Sequence, residues 1–252
     1  MFAPQQFFIF LLVAARIGGL LAIAPMFGAS APARFRVLLT LALAAVVTPV
    51  QVKGSIVPPG HALACLLGIG REALLGLALG LGVAVLFSAI RLAGTLISQL
   101  SGISLAETFD PQSGESVHLF AELLRLVAVA VFLTIGGHRL VIAGLLDTFE
   151  AIPAGGAWPI ASVADALSLL VSESFSLGIR TAAPVAATLL VTTLAMGLIG
   201  RAIPQLNMLS LGLGPGVLAG LAALSLSLGS IAWAFQDQAP PFLETLLGAL
   251  RE

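Results

Sequence analysis

The sequence predicts an all-α, membrane-associated fold of helical hairpins, with about six hydrophobic helical segments, several broken by proline or glycine. Three observations predict it. First, 59% of the 252 residues are hydrophobic and 9% are charged, against about 25% charged in a soluble domain. Second, the mean hydropathy of +1.10 is more than a water-facing surface can carry, and it equally excludes disorder. Third, long intervals lack Lys, Arg, Asp and Glu altogether. They run Ile17–Ala33, Val37–Val52, Gly54–Gly70, Ala73–Ile90, Leu92–Ala106, Leu126–His138, Thr181–Gly200 and Ala202–Gln236. About 20 residues at about 1.5 Å each cross a bilayer core.

Each element follows from the punctuation between these intervals. Met1–Gln6 has no basic residue, so Phe7–Ala24 reads as a retained helix and not as a signal peptide. Pro25 and the turn Gly28-Ala29-Ser30 end it. Ala33–Val47 is helical and Thr48-Pro49 stops it. Lys53–Gly60, carrying Pro58-Pro59-Gly60, is a loop. A long helix runs from His61 or Arg71 to about Ser101. Glu107–Ser116 (ETFDPQSGES) is polar, with the turn dipeptides Asp110-Pro111 and Ser113-Gly114. Glu122–Glu150 is helical up to Pro153 and Gly155-Gly156. Ser162–Gln205 is one kinked helix or two joined ones, with Pro184 near its middle. Leu206–Phe235 is the last strongly apolar stretch, and Gln236–Glu252 is a short polar-tipped tail.

Small residues mark possible close helix contacts. Gly212, Gly216 and Gly220 recur at every fourth position, as do Gly76 and Gly80, and Ala14 with Gly18 comes near it. In lipid such spacing lets backbones approach. A chain with 27 glycines produces single pairs by chance, so the triple is the better signal, although Pro215 within it allows a hinge loop instead.

Charges inside apolar runs are the other signal, because burying one alone is expensive. Arg16 and Arg91 are the two cases. Each must pair, snorkel to an interface, or meet another subunit. Snorkelling or an intersubunit pair is favoured over a substrate or ion contact, since no acidic residue lies deep in an apolar run. Glu122 and Arg125, three apart, can meet on one helix face. Arg71 and Glu72 are neighbours and do not face each other. Basic residues split almost evenly between alternate connections, so the orientation stays open; such a tie fits segments buried by partner subunits and not by lipid.

Catalytic and ligand motifs are missing. There is no GxSxG, Walker A, HExxH or CxxC. His61, His118 and His138 are scattered, and Cys65 stands alone in an apolar run. No catalytic residue, cofactor or metal is expected, and a net charge of −1 gives no reason to expect nucleic acid. Two other classes stay open: a small stand-alone multi-span transporter or channel, which needs a polar path, and an intramembrane enzyme, which needs a convergent set of Ser, His or acid side chains.

Four stretches, in order, carry a family resemblance. They are ARIGGLLAIAPMFGASAPARFRVLLTLALAAVVTP (Ala15–Pro49), QLSGISLAETFDPQSG (Gln99–Gly114), FLTIGGHRLVIAGLLDTFEAIP (Phe132–Pro153) and GIRTAAPVAATLLVTTLAMGLIGRAIPQLNML (Gly178–Leu209). Together they resemble the FliR/SctT family of type III secretion export-gate proteins.

The resemblance implies a single export-gate domain over 1–252, with a FliP-like half at 1–155 and a FliQ-like half at 156–252. It implies assembly with FliP- and FliQ-like subunits into a closed helical channel for unfolded flagellar subunits, FlhB- and FlhA-like proteins lying around it. It implies the bacterial inner membrane, at the flagellar basal body, with helices in contact with lipid but partly raised above the bilayer. No enzymatic step belongs to such a part. In a ring of apolar helices the polar loop can point into the lumen as a plug. Glu107, Phe109, Asp110, Pro111, Gln112 and Gly114 would form it, Phe109 giving bulk and Pro111 and Gly114 the bend.

Overall fold

The structure, a computed structural model, describes residues 4–25, 32–51, 61–102, 119–157, 159–202 and 208–249. Those residues form seven helices and no strand. They are α1 (Pro4–Ile23), α2 (Ala33–Gln51), α3 (Ala62–Leu100), α4 (Leu119–Thr134), α5 (Gly137–Ala151), α6 (Ile160–Ala202) and α7 (Met208–Gly248). Leu- and Ala-rich runs with few charges leave the backbone no better hydrogen-bonding partner than itself. Five of the helices are long and apolar enough to cross a membrane, or six spans result if α4 and α5 count as one broken span. The 39, 43 and 41 residues of α3, α6 and α7 far exceed the roughly 20 that a bilayer core requires.

Three sequence expectations change. Thr48-Pro49 does not stop α2, which continues to Gln51. Proline so near the end forfeits one helical hydrogen bond in a turn that is about to run out of them. The run Glu122–Glu150 is two helices and not one. It breaks at Ile135-Gly136, where Gly136 takes φ 75°, a left-handed conformation open to glycine. The segment from Gln236 is no polar tail. The helix runs on through Pro240-Pro241 and buries Ala239, Phe242, Leu243 and Leu246; the apolar side chains at helical spacing outweigh the two prolines. Of the two readings open at Pro184, the structure takes the single continuous helix. Residues 203–207, the expected Lys53–Gly60 loop, the expected Gly28-Ala29-Ser30 turn and the polar segment Glu107–Ser116 lie outside the described residues.

The chain divides into two compact units. One comprises Met1–Leu86, Gly136–Val171 and Pro240–Glu252; the other comprises Phe87–Ile135 and Ser172–Ala239. In the first, α1 packs on α2 and crosses α3. Leu20, Leu79, Val83, Leu145, Leu243 and Leu246 close around a void of only about 10 Å³. Leu246 lies against Gly82 and Leu247 against Gly144, so the end of α7 completes this core. In the second unit the Phe87 ring meets Phe132 and Phe235 edge-on, at centroid distances of 5.2 and 5.6 Å. Gly94 lies against the backbone at Ala121, and Gly178 against the carbonyl of Ala89.

Burial is uneven. Of the most apolar window of α3, 61% is buried, against 11% for α2. Leu38 and Val46 of α2, Leu194 and Leu198 of α6, and Leu226 of α7 are all exposed. Apolar surface on this scale requires lipid or another protein to cover it.

Candidate functional site

The best-defined polar constellation of the described residues lies inside the first unit, and glycines make it possible. A Cβ on Gly76 would strike the carbonyl oxygen of Arg16, and one on Gly80 would come within 2.8 Å of the carbonyl oxygen of Leu20. On the opposite helix, a Cβ on Gly19 would strike the carbonyl of Ala73. Glycines on both sides therefore let α1 and α3 cross at backbone contact. Gly19 lies against Ala73, Leu77 and Gly76, whereas Gly76 faces Arg16 and Gly80 faces Leu20 and Ile23. Gly18 faces α2, where a Cβ would meet only the Thr40 methyl at an ordinary 3.5 Å.

This crossing sets Arg16 beside Glu72, one turn before Gly76. Both are buried, Arg16 completely. The pair is bidentate: Nε donates to Oε2 at 2.6 Å and Nη2 to Oε1 at 3.1 Å. The rest of the guanidinium turns to α5. Nη1 donates to the carbonyl of Thr148 at 3.0 Å and, with Nη2, to that of Ile152 at 3.1 Å. The Phe149 ring stacks on the guanidinium at 4.1 Å. An arginine has five N–H donors, and here none is left over. The Thr148 carbonyl already accepts the N–H of Ile152 at 2.9 Å, so Arg16 adds a second bond there, while the Ile152 carbonyl lies just past the end of α5, where helical N–H partners run out. Arg16 thus caps a helix distant in sequence, with a cation where the helix dipole favours one. Glu72 also accepts from the N–H of Gly155 at 2.8 Å. Gly155 holds φ 81° in the turn after α5, and Gly156 N–H donates to the Pro153 carbonyl there. One ion pair ties α1, α3, α5 and the turn that leads to α6.

The sequence expectation for Arg16 changes accordingly. It neither snorkels nor needs another subunit, because its anion is in its own chain. In the sequence Glu72 is only the neighbour of Arg71, at the border of a charge-free interval; the α1–α3 crossing is what reveals it. Arg91 differs, standing exposed on α3. Glu122 and Arg125 form a bidentate pair at 2.8 and 2.6 Å on α4. Among the described residues no three His, Cys, Asp or Glu side chains are placed to hold a metal.

The glycines of α7 face their own chain. A Cβ on Gly216 would lie 2.7 Å from the carbonyl oxygen of Ser101, and one on Gly220 would lie 3.2 Å from the Phe120 ring. Gly212 lies on α7, with its surroundings outside the described residues. Gly216 thus touches the end of α3, where Gly102 takes φ 80° and Ser101 is buried. The polar segment with Glu107, Phe109, Asp110, Pro111, Gln112 and Gly114 follows that turn, outside the described residues.

The sequence profile of the bacterial export proteins, family 1, matches residues 7–240. The chain belongs to this family. Its relatives among the export proteins include flagellar biosynthetic proteins FliR. That of Caulobacter vibrioides is 31% identical across 92% of this chain and 93% of its own length. That of Escherichia coli K12 is 33% identical across 71% of this chain and 66% of its own. That of Pectobacterium carotovorum is 34% identical across 70% and 64%. Arg16, Glu72, Thr148, Ile152 and Gly155 all lie within the stretch matched to the export family.

Proposed function

We propose that the chain is a subunit of the flagellar type III protein export gate. With FliP- and FliQ-like subunits it forms the channel through which unfolded flagellar proteins pass the inner membrane, FlhB- and FlhA-like proteins being its neighbours in the basal body. The observation that carries this reading is the relationship to the Caulobacter flagellar protein, which extends over nine-tenths of both chains. The wide apolar exposure of α2, α6 and α7 supports it, since a gate subunit needs covering by other subunits as well as by lipid. In this reading residues 1–155 correspond to a FliP-like half and 156–252 to a FliQ-like half, and parts of the helices rise above the bilayer.

The chain's task in such a gate is conformational. The Arg16–Glu72 cluster fixes α1, α3 and α5 as one body. In this reading the segment Glu107–Ser116, whose match to the family is in the DPQSG stretch, is the plug, with Phe109 as the bulk that closes the resting lumen and Pro111 and Gly114 as its bends. An aromatic side chain in a narrow apolar passage closes it by contact and by dewetting. The testing experiment is co-expression of the full chain with the FliP- and FliQ-like proteins of the same genome. One stable detergent-resistant complex is expected, and deleting this gene should abolish motility and filament-subunit secretion. A monodisperse chain that ignores both partners, in a strain whose deletion swims normally, overturns the reading.

A further inference from the structure

Between α1 and the first turns of α2 lies an apolar cavity of about 290 Å³, lined chiefly by Gly18, Leu21, Val37 and Leu41, with Thr40 and Arg36 as its polar members. The Thr40 hydroxyl is committed to the Arg36 carbonyl at 2.8 Å, so Arg36 is the polar group with donors to spare. Its Nη1 makes a single long hydrogen bond to the carbonyl of Ala22, 3.3 Å, while its Nε is buried without a partner. No carboxylate is near in sequence. The first 71 residues contain no Asp or Glu, and Glu72 is engaged by Arg16. Arg34, exposed two residues away, adds a second cation. Beyond the cavity α2 stays apolar and open, with Phe35, Leu38 and Val46 exposed.

A cation at the mouth of an apolar cleft, on a helix facing outward, calls for a molecule with a negative head and a hydrocarbon body. We propose that the α1–α2 groove binds an anionic phospholipid. One acyl chain lies over Gly18, Leu21, Val37 and Leu41, and the phosphate rests on Arg36 with Arg34 beside it. Basic pockets between membrane helices hold anionic headgroups for this reason. A partner helix is the less economical occupant: it would have to carry a carboxylate of its own into an apolar cleft, at a desolvation cost. A phospholipid brings chain and charge together and comes from the bilayer that so exposed a helix meets. The site is read from the groove itself, and only the last of its tests draws on the partners of the export reading.

The test is native mass spectrometry of the full-length chain in neutral detergent, titrated with dioleoyl-phosphatidylglycerol or dioleoyl-phosphatidylcholine. Phosphatidylglycerol should be retained in preference. Arg36→Gln should weaken it about fivefold and the double change Arg34→Gln/Arg36→Gln about thirtyfold, at about 1 kcal/mol per cation, with phosphatidylcholine unaffected. Gly18→Leu fills the cleft without touching charge, and the open space at Gly18 admits a Cβ; it should weaken both lipids. Arg91→Gln, on exposed α3 surface, should change neither. Equal retention of the two lipids by the unaltered chain, or wild-type phosphatidylglycerol binding by both Arg36→Gln and Gly18→Leu, overturns the site. So does exclusion of phosphatidylglycerol from the complex with FliP- and FliQ-like subunits, which would make the groove a protein interface. If Arg36→Gln fails to fold, Gly18→Leu with Arg34→Gln decides the matter.

Discussion

Arg16 has no route to water, and its environment replaces every hydrogen bond that water would have given it. Removing only the cation leaves Glu72 buried without its counter-charge, while the carbonyl of Ile152 loses its cap and that of Thr148 keeps only the Ile152 N–H. Arg16→Met should therefore destabilise the chain by about 3–5 kcal/mol. Replacing both partners, Arg16→Met with Glu72→Leu, should recover a substantial part of that loss, because no lone charge stays buried. Thermal unfolding of the purified chain in detergent, run as a double-mutant cycle, measures both; equal losses for the single and double changes would show that the pair is not coupled. Arg16→Lys should fall close to Arg16→Met, since three donors on a point charge cannot span a carboxylate and two carbonyls. The sequence makes Arg16 conspicuous by its surroundings but does not disclose its answer. The answer is spread over α3 and α5, 56 and 132 residues away, and no local pattern encodes that distance.

Glycine positions separate into those that touch a neighbouring helix and those that touch nothing, and substitution should sort them. Gly76→Val drives a side chain into the α1 backbone at Arg16, so it should separate α1 from α3 and expose the ion pair. At Gly70, Gly197 and Gly229 an added methyl would meet no other atom, so alanine at each should be neutral or stabilising by up to about 1 kcal/mol through helix propensity. Yield and melting temperature in detergent check the contrast. Gly216→Leu should push on the Ser101 carbonyl and disturb the end of α3 within the chain itself; limited proteolysis near residues 101–103, faster than wild type, would register it, and an unchanged digest would place Gly216 in slack. The four-residue glycine spacings are readable in the sequence, but which helix each glycine approaches is not, because spacing gives a face without its partner. The break at Gly136 and the buried stretch after Pro241 escape a sequence reading for a related reason. Punctuation by single residues is a local signal, and tertiary packing decides otherwise: one left-handed glycine divides a helix, while two prolines fail to end one whose Phe242, Leu243 and Leu246 have a core to fill.

At the scale of the whole molecule, fold class and membrane character are legible from composition, since no soluble surface can be assembled from so few charges. The division into units is not, because each is gathered from separated stretches of chain. The prediction at this scale concerns passage. Deleting Glu107–Glu115 removes no described helix, so the assembled complex should still form. In a planar bilayer it should conduct ions that the wild-type complex holds back, and Phe109→Ala should leak less than the deletion. A deletion complex as tight as wild type would remove the sealing role from this segment and leave the family assignment intact.

The Arg16 cluster also imposes an order in time. A ribosome delivers Arg16 long before Glu72, and Glu72 long before Thr148, Ile152 and Gly155. Until the later residues arrive, α1 carries an arginine into an apolar setting with its donors partly or wholly unanswered, at a cost of about 2.5–3.5 kcal/mol near the bilayer centre. The newborn α1 is thus a provisional helix, and each later segment makes its place more permanent. A chain that stalls before residue 148 is left holding an incompletely capped charge, which the carbonyls of Thr148 and Ile152 alone complete.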